Sequence, residues 1–135
     1  MILDSSAVVA IAMQEPGHAA LLQAIGRASR VGIGAPTLVE TAIVLSARMN
    51  RDARGVLSRF LLEGDIGVVP FTDVHFGTAM DAWLRYGRGR HPAGLNFGDC
   101  LSYATARLAT EPLLFTGSDF HQTDIPSALD RFPAV

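Results

Sequence analysis

Met1-Ile2-Leu3-Asp4-Ser5-Ser6-Ala7 begins with three apolar residues, then one acid and two hydroxyls, and an apolar run continues to Met13. A short apolar run closed by polar turn chemistry has the length of a buried strand, and Asp-Ser-Ser can start a helix. The stretch therefore reads as strand, acid, helix. That order puts Asp4 at the carboxyl end of a strand, the edge where open α/β sheets place their ligands. Taken alone, Asp4 also has a structural reading as a helix N-cap accepting backbone N–H bonds. Which role it has depends on whether other acids reach the same edge.

The same alternation recurs outward from this stretch. Residues 5–14 read as a first helix, stopped near Glu15-Pro16-Gly17, and 18–29 as a second with Ala19, Leu22, Ile25 and Ala28 at helical spacing. Residues 31–34 form a short strand. Residues 36–49 follow as a helix with Leu38, Ala42, Leu45 and Met49 on one face and Val39 and Ile43 beside them. Residues 53–63 are amphipathic through Val56, Leu57, Phe60 and Leu61; 66–70 are a strand and 73–86 a helix. Residues 87–92 are a loop by their glycines and proline, 97–109 a helix, 113–115 a strand, and 116–119 a turn. The tail beyond Asp124 is weakly patterned. Short apolar strands alternating with helices predict an α/β fold, a three-layer α/β/α sandwich with a central, mostly parallel sheet, as one domain over residues 1–135.

Composition narrows the possibilities. A chain of 135 residues, 49% of them hydrophobic, has the size and apolar content of one packed domain. Its single cysteine, Cys100, excludes an internal disulfide and fits a reducing cytosol. Asp4 interrupts the start where a secretory leader would need its basic and apolar regions. The apolar run 7–13 is far below the roughly 20 residues of a membrane span. The expectation is a soluble, cytoplasmic protein with no membrane partner. Net charge is −2, and all basic residues are arginine. The absence of lysine excludes Schiff-base and P-loop chemistry, while arginine offers a planar fork suited to phosphate.

Four acids fall just after strands or in the opening turns of helices: Asp4, Glu40, Asp99 and Asp119. Each has an ordinary structural role. Thr37-Leu38-Val39-Glu40 fits a capping box, Asn96-Phe97-Gly98-Asp99 places Asn96 as an N-cap, and Asp119 lies in a turn. In a parallel sheet these points share one edge, so the acids can converge. Carboxylates in one pocket repel, and a hard divalent cation, Mg²⁺ or Mn²⁺, compensates. Such a site suits phosphate chemistry. Arg48, Arg51, Arg54 and Arg59 gather near one helix junction, and Arg85, Arg88, Arg90 and His91 near the glycine-rich loop. Flanking the acids, Arg48, Arg51, Arg88, Arg90 and His91 would hold a polyanionic backbone; otherwise they are solvated faces. Trp83, Phe60 and Phe97 read as core or interface.

At these positions the chain resembles a known family. The opening stretch to Ala7, Glu40 within residues 36–40, the run 90–100 around Asn96-Phe97-Gly98-Asp99-Cys100, and residues 113–120 with Thr123-Asp124-Ile125 are similar to PIN-domain ribonucleases. More closely, they resemble the VapC toxins of bacterial VapBC toxin–antitoxin pairs, over nearly the whole chain. The resemblance implies a Mg²⁺- or Mn²⁺-dependent endoribonuclease acting on structured RNA, commonly tRNA or rRNA. It further implies a homodimer and a VapB-type antitoxin that inserts a basic side chain among the acids, in a larger assembly. By position, Asp4, Glu40 and Asp99 match the core metal-site acids and Asp119 the fourth, with Asp124 as the alternative. Ser6, Thr116 and Ser118 match supporting positions, although Ser118 stands where many relatives carry Asn or Asp. On this basis Ser5 and Ser6 are expected to take over the helix cap, freeing Asp4 for the metal.

Two rivals are weighed against this. A phosphoaspartyl phosphatase or receiver domain needs a lysine, which is absent, and the former a second acid where Ser6 stands. A non-catalytic PIN-like module that binds RNA or protein would not need all four acids. For the dimer contact the candidates are the faces around Leu57, Phe60 and Leu61, or around Trp83.

Overall fold

The protein is described by a computed structural model covering residues 1–135. In chain order its elements are β1 (Ile2–Leu3), α1 (Ser5–Ala12), α2 (His18–Arg27), β2 (Val31–Gly34), α3 (Ala35–Met49), α4 (Arg54–Glu63) and β3 (Ile66–Val69). Next come α5 (Asp73–Tyr86), α6 (Phe97–Ala109), β4 (Leu113–Leu114), a 3₁₀ turn (Asp119–Gln122) and α7 (Ala128–Arg131). The strands form one sheet in the order β3-β2-β1-β4, every pair parallel. No helix is long and apolar enough to cross a membrane.

Strand alternation sorts the core into two halves. Ile2 pairs with Gly32 and Leu113, and Leu3 with Ile33 and Leu114. Leu3, Ile33 and Leu114 therefore face one side, where they pack with Ala7, Val8, Leu21, Ile25, Leu45 and Leu57 from α1–α4. Ile2 and Leu113 face the other, against Ala79, Ala82 and Tyr86 of α5 and Cys100, Tyr103 and Ala104 of α6. Leu3, Ile33, Leu113 and Leu114 are fully buried, each worth roughly 2 kcal/mol in apolar transfer. The α/β/α layering is as the periodicity predicts.

Departures from the expected boundaries have local causes. The first helix stops at Ala12 because Gln14 turns to a positive φ of 52°. The tail beyond Asp124 is tied in: Leu113 N–H donates to the Pro126 carbonyl at 2.9 Å, and α7 packs on α2. One hydrogen bond and a single-turn helix are too short to leave a periodic signal. The loop after α5 is likewise pinned, Arg88 N–H to the Leu95 carbonyl and Leu95 N–H to that of Tyr86. Leu57 is buried and Phe60 and Leu61 pack against the core, so that face is interior rather than an open dimer contact. Phe97 is the reverse, 80% exposed, which excludes the core and leaves the interface of its two expected places.

Packing of α6 across the sheet depends on Gly34. A Cβ there would lie 2.9 Å from the Thr105 hydroxyl oxygen of α6. Gly34→Ala is expected to cost about 1–3 kcal/mol by overpacking, measured by urea unfolding. In a Thr105→Ala background the same change should cost markedly less. An unchanged cost would show that this contact does not set the α6 position.

Candidate active site

Asp4 follows β1 directly and is only 4% exposed. Its Oδ2 accepts from the Ser6 backbone N–H at 3.1 Å and the Ser6 hydroxyl at 2.6 Å, and its Oδ1 from the Ser102 hydroxyl at 2.6 Å. Asp4 is thus still the N-cap of α1, contrary to the expected transfer of that duty to the serines. Ser6 in turn accepts from Thr116 N–H at 3.1 Å, and Ser102 lies 3.5 Å from the Thr37 hydroxyl.

Glu40 sits beyond the first turn of α3, whose N-cap is Gly34. Thr37 lies inside the helix, so the Thr37–Glu40 capping box does not form. The Glu40 carboxylate reaches over the start of α6, where a Cβ on Gly98 would be 2.7 Å from both its oxygens. Its Oε1 is buried without a hydrogen-bond partner. Burial, then the charges of Asp4 and Asp99, raise its pKa, against a smaller opposing contribution from the Ser5 hydroxyl.

Asp99 is the third residue of α6, Asn96 is its N-cap as expected, and the two complete a capping box: Asn96 N–H donates to Asp99 Oδ2 at 3.1 Å, and Asp99 N–H to Asn96 Oδ1 at 2.9 Å. Burial pushes its pKa up to about 6, with Asp4 and Asp119 adding to the rise and the Asn96 N–H and Arg88 opposing it. Asp119 is exposed at the start of the 3₁₀ turn, close enough for its charge to act on Asp99.

The remaining candidates divide. Asp124 is held elsewhere, accepting from the Tyr103 hydroxyl at 2.6 Å and facing Arg85 and Arg107 at 3.4 and 3.6 Å. Burial would raise its carboxyl, but the Tyr103 hydroxyl and both arginines outweigh that and hold it below the usual range. It is not among the charges acting on Glu40 or Asp99, whereas the charge of Asp119 acts on Asp99. Ser118 precedes the 3₁₀ turn without capping it. Of the basic set, Arg88 alone acts on Asp99. Arg48 is paired with Glu15 at 2.8 Å, Arg51 is exposed beyond α3, Arg90 stacks over Trp83 and His91 packs edge-on to Tyr86.

Sequence reading missed Ser102, Thr37 and Gly98. Ser102 had a visible signal, a hydroxyl three residues after Asp99 in an apolar helical run, on the same face as the acid. Gly98 had none, since its role depends on Glu40 arriving from another helix. No three acid, histidine or cysteine side chains stand close enough in this conformation to hold one metal ion, so the acids are neighbours and not a closed ligand set. Their chemistry nonetheless fits a hard divalent cation: oxygen donors only, mutual repulsion, and an unpartnered buried oxygen on Glu40.

Two outcomes are expected. The raised carboxyls of Asp99 and Glu40 mean that the folded state binds more protons than the unfolded chain from about pH 4 to 6, so stability falls as pH rises through that window. Thermal melts in chelator between pH 4 and 7 should show this fall in the parent and a flatter profile in Asp99→Asn; parallel profiles would refute it. Ser102→Ala, which removes a hydroxyl from a buried carboxylate, should cost about 1–3 kcal/mol in urea unfolding. A cost below ~0.5 kcal/mol would deny Ser102 that role.

Comparison with known proteins identifies the family of the chain. A model of the PIN domain matches residues 1–126. The chain is 48% identical over 126 residues to ribonuclease VapC36 of Mycobacterium tuberculosis, covering 93% of this chain and 91% of the relative. It is 41% identical over 132 residues to ribonuclease VapC28 of the same organism, covering 97% and 99%. In three dimensions it resembles Mycobacterium tuberculosis VapC20, a sarcin-ricin loop cleaving toxin, with a TM-score of 0.73 at 20% identity over 92% of this chain and 95% of that one. A toxin–antitoxin complex from Klebsiella pneumoniae gives 0.67 at 17% identity over 91% and 92%. At such identities these two structures speak for the fold alone. The matched span carries Asp4, Glu40, Asp99 and Asp119 together, and the chain belongs to the PIN-domain family and, within it, to the VapC ribonucleases.

Proposed function

We propose that this protein is the toxin of a type II toxin–antitoxin pair, an endoribonuclease that cuts structured tRNA or rRNA in the cytoplasm with Mg²⁺ or Mn²⁺. Glu40 carries this reading: its Oε1 is buried without a partner beside Asp4 and Asp99, in a chain 48% identical to a ribonuclease. Asp4, Glu40 and Asp99 would hold the cation, with Asp119 contributing directly or through water. When bound, the cation supplies polarisation of a phosphoryl oxygen and acidification of water.

The chain's own groups set the conditions for that chemistry. Ser6 and Ser102 fix the Asp4 carboxylate in one orientation. Gly98 leaves room for Glu40, and Asn96 holds Asp99 on the first turn of α6. Asp99 gives up its proton near pH 6, so the full negative charge of the cluster develops towards neutrality. Arg88, on the Asp99 side, would receive a backbone phosphate.

A VapB-type antitoxin would restrain the site by placing a basic side chain among the acids. The homodimer would use the outer face of α5, where Phe76, Met80, Trp83 and Leu84 are exposed together.

Purified protein incubated with total tRNA and rRNA in Mg²⁺ or Mn²⁺ should yield discrete fragments. Excess chelator should abolish them, and Asp99→Asn should slow them on the order of a hundredfold or more. Undiminished cleavage in either arm would sink the proposal.

A further inference from the structure

Beside the acid cluster lies an apolar recess of about 450 Å³, lined by Val39, Ile43, Phe97 and Leu101, with Glu40 and Gly98 on the side facing the acids. We infer that this recess is a nucleobase subsite, in which Phe97 stacks on an unpaired base adjoining the phosphate addressed by the acids. The inference rests on the ribonuclease reading above and deepens it, giving the site a place for one unpaired base of its substrate.

Phe97 is 80% exposed, Ile43 64% and Val39 59%, three large apolar side chains left in water around one carboxylate. Core packing does not account for them. Phe97 is the first residue of α6, and the capping box between Asn96 and Asp99 holds that turn. Its ring is therefore carried on a fixed backbone two residues from Asp99, which lowers the ordering cost of stacking.

The recess and the acids share Glu40, and Gly98 lies against both Glu40 oxygens, so no other element separates them. An RNA backbone is repelled by the acids except at a neutralised phosphate, and Arg88 offers a favourable approach on the Asp99 side. The base attached next to that phosphate turns away from charge and meets the apolar wall. Glu40 is the only charged group lining it, so the base is held by its π-face and not read by its edge. A paired base has no free face to offer, hence the requirement for an unpaired one.

The test uses hexameric single-stranded RNAs carrying one 2-aminopurine, titrated with the full-length protein in Ca²⁺. Stacking should quench the fluorescence at one position in the parent protein and in Phe97→Trp. Affinity should fall about tenfold in Phe97→Ala and in Phe97→Leu, which keeps apolar bulk but has no ring. Thermal melts establish that each variant folds. Parent-like quenching and affinity in Phe97→Leu would overturn the subsite. So would dissociation of a dimer by Phe97→Leu with probe binding intact, since the recess would then belong to a second copy. Cleavage of cellular RNA without quenching at any position overturns the subsite alone; neither cleavage nor probe binding overturns the ribonuclease reading with it.

Discussion

The carboxylate of Asp4 ties the two faces of the sheet to its carboxyl edge. One oxygen is bound by Ser6 of α1 and the other by Ser102 of α6, helices that cover opposite faces. Ser6 also receives the Thr116 N–H, bringing in the segment after β4, and Ser102 lies against Thr37 of α3. A buried anion without such donors would cost several kcal/mol, and hydrogen bonds to a charged acceptor are among the stronger ones a protein makes. Cap and candidate ligand are therefore one carboxylate in one pose. Capping α1 is part of what aims Asp4 at the other acids.

Around that anchor the fold gathers like charges that would otherwise separate. Gly98 lets Glu40 lie against the start of α6, and Asn96 restrains Asp99 on the same turn. The consequence is a pair of carboxyls that ionise late, Asp99 near pH 6. Most arginines do not relieve this strain. Arg48, Arg54 and Arg59 are satisfied by Glu15, Asp52 and Glu63, and Arg85 and Arg107 by Asp124. Surface pairs of this kind contribute little stability, but they occupy those arginines away from the acids, and among the arginines only Arg88 acts on Asp99, weakly.

The apolar surface is arranged around the same centre. Phe97 lines both the recess against Glu40 and a larger groove of about 710 Å³ under α5, which Phe71, Phe76, Met80 and Trp83 also line. Exposed apolar area of this extent on a chain of this size marks contact with something else. The recess and the groove meet at Pro36, Phe97 and Leu101, so an RNA base in the recess and a second copy on the α5 face would share one wall.

Most of the fold was legible in the residues. Strand length, helical spacing and the acids after strands predicted the α/β/α layers and the edge on which Asp4, Glu40 and Asp99 meet, because period and turn chemistry are local. The N-cap at Asn96 was legible for the same reason, lying within one helical turn of Asp99. The Thr37–Glu40 box was not, since α3 starts at Ala35, two residues before Thr37. Ser102 against Asp4, Gly98 beneath Glu40 and the capture of Asp124 by Tyr103 are contacts between elements distant in sequence. The sequence by itself determined which elements form and which acids face one edge; only the tertiary structure decided which of them touch, because contact depends on how α3 and α6 pack across the sheet, and no local pattern encodes that distance.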